Sequence, residues 1–371
     1  MRSTHTLSIV ARDGAAALSR ALLLLALLGI FTGCRSTPAR RFESDEARWA
    51  RDSAFSEDGR LVAAALDDGS VKVWERSTGR LVRAVKGFDP AAVVFTHRVA
   101  FAPGNSSMIG FAGAGGGAVI ADLNKTEADA PPRAMRGHDR PVHHLAFTSD
   151  GARLVTVSGG MVPQSRDFKA ENRTPVRVIV FDVASGDVVS RFDDDKSGAA
   201  AAAISPDGSR VAFACATPGQ EDVNAPFPKV GQVNQKIVIV DTGTGQVLRE
   251  IAPVDDASLL IDYSTDGQLL YCGKGVWNAL TGKRVSRLPE TARCFVGRDR
   301  LLGFGGGKYE WEERAGQDWI QPYYINARSG DLRTASRVPQ PEPIFGNGRR
   351  ALSPDAGTYI DRKARLWRLP Q

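Results

Sequence analysis

The chain has 371 residues, a formal net charge of +6, and 24% charged and 42% hydrophobic residues. This composition is ordinary for a globular protein and excludes a chain that is disordered throughout. The net charge is too small for this length to indicate nucleic-acid binding. Length alone does not force two domains, because closed repeat folds hold this many residues in one domain.

The N-terminus carries an apolar segment over residues 21–31, followed by Thr32, Gly33 and Cys34. Such a segment is too short to span a bilayer as a helix, but it has the length of the central region of an export signal. It resembles the lipobox of bacterial lipoproteins, although Phe31 stands where that pattern usually has leucine. The resemblance implies a signal peptide at 1–33, cleavage before Cys34 and acylation of Cys34. An ordinary cleaved signal with a soluble product is the alternative.

The residue after the cysteine bears on the destination of such a lipoprotein. Arg35 stands where an inner-membrane retention signal would usually place aspartate. The resemblance therefore implies a lipid-anchored protein of the cell envelope, at the outer membrane.

A strand–turn–strand motif recurs along the rest of the chain. Four full copies contain Asp-Gly and then an apolar run, and they begin at Phe55, Phe147, Ile204 and Tyr263. Three degenerate copies begin at Phe101, Phe295 and Phe345. Asp-Gly favours a tight hairpin turn, and apolar, often β-branched runs favour buried strands. The pattern predicts seven similar antiparallel units.

Each copy leads to a further apolar strand, and most of these strands precede a Gly turn. The turns are Thr78-Gly79, Ser185-Gly186, Thr244-Gly245, Thr281-Gly282 and Ser329-Gly330. This pattern resembles the WD-repeat propeller family. The resemblance implies an all-β fold over residues 46–371, a seven-bladed β-propeller of four-stranded antiparallel blades.

The chain departs from the family in its signature residues. Trp74-Glu75 and Trp277-Asn278 come closest to the family's Trp-Asp pair, and only Gly137-His138 matches its Gly-His dipeptide. We therefore expect the family's hydrogen-bonded network of His, Ser or Thr, Asp and Trp to be incomplete in every blade.

The last repeat has no sequence for a fourth strand, because the chain stops at Gln371 shortly after Trp367. In the family, the N-terminal segment fills this position. We expect residues 34–45 to contain the anchor linker and the closing strand, with the strand near Pro38 to Ser44, beginning about three residues after Cys34.

Three long insertions interrupt the repeats, at 159–175, 216–234 and about 306–318. Each joins the second strand of a blade to the third, so the fold predicts that they emerge on one face. Recognition often resides in such loops, and aromatic and arginine side chains often dominate interfaces. The candidate partner-binding residues are Arg166, Phe168, Phe227, Trp311, Arg314 and Trp319. Alternatively, the loops only fold over the edge of the propeller and fill it with their own side chains.

Three consecutive repeats place polar pairs near the start of their first strands: Arg51-Asp52, His97-Arg98 and His143-His144. His97, His143 and His144 could bind a metal ion at the channel mouth. Blade 4 offers only Ala200-Ala201 at the same place, so a solvated channel lining is the expected arrangement.

No hydrolase elbow, phosphate loop or zinc-binding helix motif is present in the sequence. Cys215, Cys272 and Cys294 fall in predicted strands, where buried thiols are expected; a bridge between Cys272 and Cys294 stays open. We therefore expect a membrane-tethered, non-catalytic scaffold that binds protein partners, not nucleic acid, and needs no cofactor. The alternative is a propeller enzyme or a small-ligand or metal binder.

Overall fold

The computed structural model describes residues 40–42, 50–86, 98–112, 116–126, 129–159, 176–194, 198–217, 234–254, 261–290, 292, 294–305, 319–334, 338–339, 358–360 and 365–368. These residues form strands and turns, with no helix among them. The described part of the chain therefore offers no helix that could cross a bilayer. All the strands belong to one compact unit, Pro38–Gln371.

Six sheets share one meander, in which consecutive strands pair antiparallel; we call the four strands of each sheet a to d. Strand β1 (Arg40–Arg41) precedes them. Sheet 1 contains β2 (Ala50–Phe55), β3 (Leu61–Leu66), β4 (Ser70–Glu75) and β5 (Leu81–Lys86); sheet 2 contains β6 (Arg98–Ala102), β7 (Asn105–Ala112), β8 (Ala118–Asp122) and β9 (Arg133–Met135); sheet 3 contains β10 (Val142–Phe147), β11 (Arg153–Ser158), β12 (Val176–Asp182) and β13 (Val188–Asp194).

The next three sheets repeat this order. Sheet 4 contains β14 (Gly198–Ile204), β15 (Arg210–Thr217), β16 (Asn234–Asp241) and β17 (Val247–Ile251); sheet 5 contains β18 (Ile261–Tyr263), β19 (Leu269–Cys272), β20 (Gly275–Asn278) and β21 (Arg284–Arg287); sheet 6 contains β22 (Cys294–Phe295), β23 (Arg300–Gly305), β24 (Trp319–Asn326) and β25 (Leu332–Thr334). The short β26 (Val338–Pro339) also pairs with β24. Strands β27 (Thr358–Ile360) and β28 (Arg365–Arg368) complete the set.

The Asp-Gly turns between strands a and b are built alike in sheets 1, 3, 4 and 5. In sheet 3, the Thr148 hydroxyl donates to Asp150 Oδ1 at 2.5 Å and accepts from the Arg153 backbone N–H at 3.0 Å. Ser56, Ser205 and Ser264 make the same pair of bonds in their own turns. Gly151 adopts φ 69°, a left-handed conformation that favours glycine. The recurring motif is therefore a hydrogen-bonded turn.

The apolar cores lie between consecutive sheets, since strands b and c bury both faces. One cluster joins sheets 1 and 2 through residues such as Val73 and Phe111. Corresponding clusters join each later pair of sheets up to 5 and 6. Burial on both faces explains why these strands are almost continuously apolar.

The a strands of successive sheets contact one another, in the order β2, β6, β10, β14, β18 and β22. Sheets 1 to 6 therefore follow one another in chain order with their a strands innermost. This arrangement is that of a β-propeller, in which each blade packs only on its neighbours.

The two ends of the compact unit meet in a seventh sheet, with strand order β1-β28-β27. Arg40 pairs with Leu366 and Arg41 with Arg365, in antiparallel register. Phe42, which follows β1, is buried and stacks on Trp74 of sheet 1, with ring centroids 5.5 Å apart. The N-terminal segment thus contacts both the last sheet and the first.

Candidate functional site

Most of the predicted site residues lie outside the described part of the chain: Cys34, His97, Arg166, Phe168, Phe227, Trp311 and Arg314. Trp319 begins β24, and its backbone pairs with Pro339. The strands that flank the three insertions are described. The insertions connect β11 to β12, β15 to β16 and β23 to β24, so each joins strand b to strand c.

The polar pairs on the inner strands form a network between sheets 1, 2 and 3. Asp52 is fully buried, and its Oδ2 accepts a hydrogen bond from the Val99 backbone N–H of sheet 2 at 3.0 Å. Arg98, beside Val99, donates from Nε to the His143 carbonyl of sheet 3. Each side chain therefore binds the backbone of the next inner strand.

The charges in this network lie close together, with Asp52 fully buried and Arg98 half-buried. Burial lowers the pKa of Arg98, and the nearby negative charge of Asp52 opposes that shift. Burial, reinforced by the charge of Arg98, lowers the pKa of His143 to about 4, so its imidazole is neutral at pH 7. Ionised groups are tolerated inside proteins when a group of opposite charge lies nearby, as Asp52 and Arg98 do here.

Among the described residues of the polar pairs that were expected to form a solvated channel lining, Asp52 is buried, whereas Arg51, Arg98, His143 and His144 are half-buried. Asp52 has no exposed surface, because the second inner strand packs against the first and its N–H points at the carboxylate. His143 and His144 lie side by side, with ring centroids 5.8 Å apart. The described residues include no group of three or more His, Cys, Asp or Glu side chains placed to hold a metal ion.

A second link of the same kind joins sheets 5 and 6. Asp262 Oδ2 accepts a hydrogen bond from the Phe295 backbone N–H at 2.8 Å. Asp262 was not among the predicted site residues, although an acidic residue directly before Tyr263, in an otherwise apolar strand, could have indicated it. Carboxylates on the inner strands therefore link neighbouring sheets through hydrogen bonds with backbone N–H groups.

The Gly-His dipeptide forms part of the expected family network. His138 is buried, with Nδ1 2.5 Å from Ser158 Oγ and Nε2 2.7 Å from Thr156 Oγ1. Burial lowers the pKa of His138 to about 3, which keeps the ring neutral. Phe181 occupies the family's tryptophan position and approaches His138 edge-on at 6.5 Å. The imidazole therefore ties the loop before sheet 3 to strand b.

Asparagine replaces aspartate in the turn that follows strand c without losing its bond. Asn278 Oδ1 accepts from the Thr281 N–H at 2.8 Å, as Asp241 Oδ1 accepts from the Thr244 N–H at 2.7 Å. Asn278, which stands where the family's Trp-Asp pair has aspartate, therefore keeps the hydrogen bond of this turn.

Cys272 and Cys294, in neighbouring sheets 5 and 6, are buried thiols with no disulfide between them. The bridge left open by the sequence is therefore not formed. Cys215 lies in β15, as predicted.

The comparisons with known proteins agree with this architecture. Residues 38–75 and 130–162 match the family model described as WD domain, G-beta repeat. A chain from a crystal structure of a mitotic checkpoint complex is similar over 91% of this chain and 96% of its own, with a TM-score of 0.58 and 17% sequence identity. These matches support a WD-repeat propeller.

The propeller likeness is broad and does not select a partner. As many as 1622 chains of solved structures match this protein. At 17% identity, the chain from the checkpoint complex shows the fold alone. No curated protein sequence matches the chain. Function must therefore be argued from the surfaces and segments of this propeller.

Proposed function

We propose that the chain is a membrane-tethered, non-catalytic propeller lipoprotein of the bacterial cell envelope that acts as a scaffold for protein partners. The observation that carries the proposal is the shared position of its three insertions, each of which joins strand b to strand c. WD-repeat propellers suggest such a scaffold, and the similar chain from the mitotic checkpoint complex is one of this fold within an assembly.

The proposal includes a closed ring of seven blades. Its support is the pairing of Arg40–Arg41 with the last strand and the stacking of Phe42 on Trp74. Arg76 of sheet 1 also donates from Nη2 to Thr358 Oγ1 of β27 at 3.1 Å. In this arrangement, β1 is strand d of blade 7, and it covers an edge that would otherwise be open to intermolecular pairing.

Closure by β1 also orients the anchor. We call the propeller face with the b-to-c connections the top and the opposite face the bottom. A strand d runs from bottom to top, so β1 enters from the bottom face. The chain from Cys34 to Arg40 spans at most about 20 Å when fully extended. An acylated Cys34 therefore holds the bottom face near the bilayer and leaves the insertions pointing into the adjoining compartment.

Lipidation of Cys34 gives the first test. Replacement of Cys34 by Ala should abolish incorporation of a clickable fatty acid and leave a folded, mislocalised protein, because no described strand includes this residue. The readout is in-gel fluorescence after metabolic labelling, with Cys272→Ala as the control, since that buried thiol should not affect labelling. Undiminished labelling of the Cys34→Ala protein would overturn the anchor.

Partner binding gives the second test. Alanine at Phe168, Trp311 or Arg314 should weaken the complex by about 2 kcal/mol or more wherever the side chain is a hot spot. The matched control is Arg60→Ala on the bottom face, whose side chain is 74% exposed in an a-to-b turn. Affinities are measured by titration of the partner captured from cross-linked envelopes. Equal losses for Arg60→Ala and the insertion variants would contradict the assignment of the face.

A further inference from the structure

Exposed aliphatic side chains recur at one end of the outer strands. Among the described residues, the large hydrophobic side chains that remain exposed are Val82, Val188, Val189, Val247, Leu248, Leu280 and Leu332, at 38–54%. They lie near the start of strand d in sheets 1, 3, 4 and 6, or, for Leu280, in the c-to-d turn of sheet 5. We call these residues the basal rim.

The pairing register places these residues at the same level of their sheets. The first residue of strand d pairs with the last core residue of strand c in four sheets. The pairs are Leu81 with Trp74, Val188 with Phe181, Val247 with Val240 and Leu332 with Ile325. In sheet 5, Arg284 faces Trp277 in the same way. The rim therefore follows the bottom, outer edge of neighbouring blades.

Both faces of the outer strands contribute to the rim. Successive residues of a strand point to opposite faces of the sheet, yet Val188 and Val189 are 50% and 41% exposed, and Val247 and Leu248 are 46% and 50% exposed. Leu280 lies on a turn, where strand propensity does not call for an aliphatic residue. The rim is thus a series of separate apolar points along an edge.

Basic side chains accompany the apolar ones. Exposed arginines and lysines at the same level are Arg80, Arg249, Lys283, Arg284 and Arg333, and the exposed acidic residues are Asp187 and Asp331. Arg80 lies 3.8 Å from Glu75. Farther along the strands, Arg191 is ion-paired with Asp193 at 2.6 Å and Glu250 with Lys236 at 2.8 Å. At the level of the rim, basic side chains therefore outnumber acidic ones.

We infer that the basal rim contacts an anionic phospholipid surface, with its aliphatic side chains at the boundary of headgroups and acyl chains and its basic side chains on lipid phosphates. This combination is that of segments that lie in the membrane interface. A bilayer can contact points spread over several blades at once, whereas a compact protein partner would need them gathered in one patch. The inference rests on the proposed tether and extends it, because a chain held by Cys34 would present this edge to the membrane.

Site-specific photo-crosslinking of the full chain in its own membranes tests the inference. A diazirine amino acid replaces Leu248, Val82 or Lys86 in separate variants, and lipid adducts are detected with radiophosphate-labelled phospholipid. Val82 and Lys86 are both exposed and lie on β5, four residues or about 13 Å apart, with Lys86 toward the opposite end. We expect at least tenfold more lipid adduct at Leu248 and Val82 than at Lys86.

Each other outcome has a defined meaning. Equal lipid adducts at Val82 and Lys86, or none at Leu248 and Val82 in a protein that still fractionates with membranes, overturn the rim and leave the tether standing. Adducts to another protein, or to a second copy of the chain, at the rim overturn it as well. Loss of membrane fractionation on Cys34→Ala, measured in parallel, tests the tether separately. A charge variant, Arg249→Glu with Arg333→Glu, should reduce the lipid adduct at Leu248 at least threefold.

Discussion

Deletion of residues 38–44 is expected to lower the free energy of unfolding by at least about 3 kcal/mol or to cause aggregation. The deletion removes buried Phe42 from its stack on Trp74, and loss of a core phenylalanine side chain alone costs about 3–5 kcal/mol. It also removes the partner of β28, which leaves an open strand edge. Urea unfolding followed by tryptophan fluorescence measures the effect.

Two controls separate the causes of this loss. Removal of residues 35–37 shortens the chain at a nearby place but leaves β1 and Phe42, so it should cost far less. Phe42→Ala keeps the backbone pairing and removes only the stack, so its cost should lie between the two deletions. Identical unfolding midpoints for the two deletions would show that this segment does not close the ring.

Replacement of Asp52 by Ala is expected to cost at least about 2 kcal/mol, because it leaves two buried backbone donors, the Ser53 and Val99 N–H groups, without their acceptor. The substitution also removes the nearby negative charge that favours the charged form of Arg98. The matched control is Asp139→Ala, which removes an Asp–Arg contact at 3.0 Å whose carboxylate is 70% exposed. An exposed pair of that kind should cost about 0–1 kcal/mol.

A double variant tests whether the charge is responsible. Addition of Arg98→Met to Asp52→Ala removes the remaining charge, so part of the lost free energy should return. Chemical denaturation of the four proteins of this cycle provides the coupling. If Asp52→Ala lowered the free energy of unfolding by an amount within about 1 kcal/mol of that for Asp139→Ala, the proposed stabilising link between sheets 1 and 2 would be contradicted.

Local turn chemistry made much of the fold predictable from sequence. An Asp-Gly turn contains its own hydrogen-bond partners, as Thr148 and Asp150 show, so its position is readable in one segment. Apolar strands b and c are buried on both faces, as in β11 and β12, and therefore carry continuous apolar runs. These two local signals were enough to predict an all-β repeat and the WD-repeat likeness.

Contacts between blades were not predictable in the same way. The sequence placed Asp52 and Arg98 at equivalent positions but could not show that the Val99 N–H reaches the carboxylate, because that bond joins residues 47 apart. The burial of Asp52 was therefore not predicted, whereas Arg98, His143 and His144 are half-buried. The basal rim had a visible signal, an aliphatic pair two residues after the turn glycine, as in Gly245-Gln246-Val247-Leu248. Its exposure depends on packing against the neighbouring sheet.

Cross-linking of the full-length protein in intact envelopes, followed by mass spectrometric mapping, tests the central claim most directly. The proposed orientation predicts that peptides cross-linked to protein partners come from the insertions, residues 159–175, 216–234 and about 306–318. It also predicts that the bottom turns at 56–60, 148–152 and 205–209 are spared. Partner cross-links confined to those turns, with none in the three insertions, would contradict a scaffold that is tethered by its bottom face and binds partners on its top face.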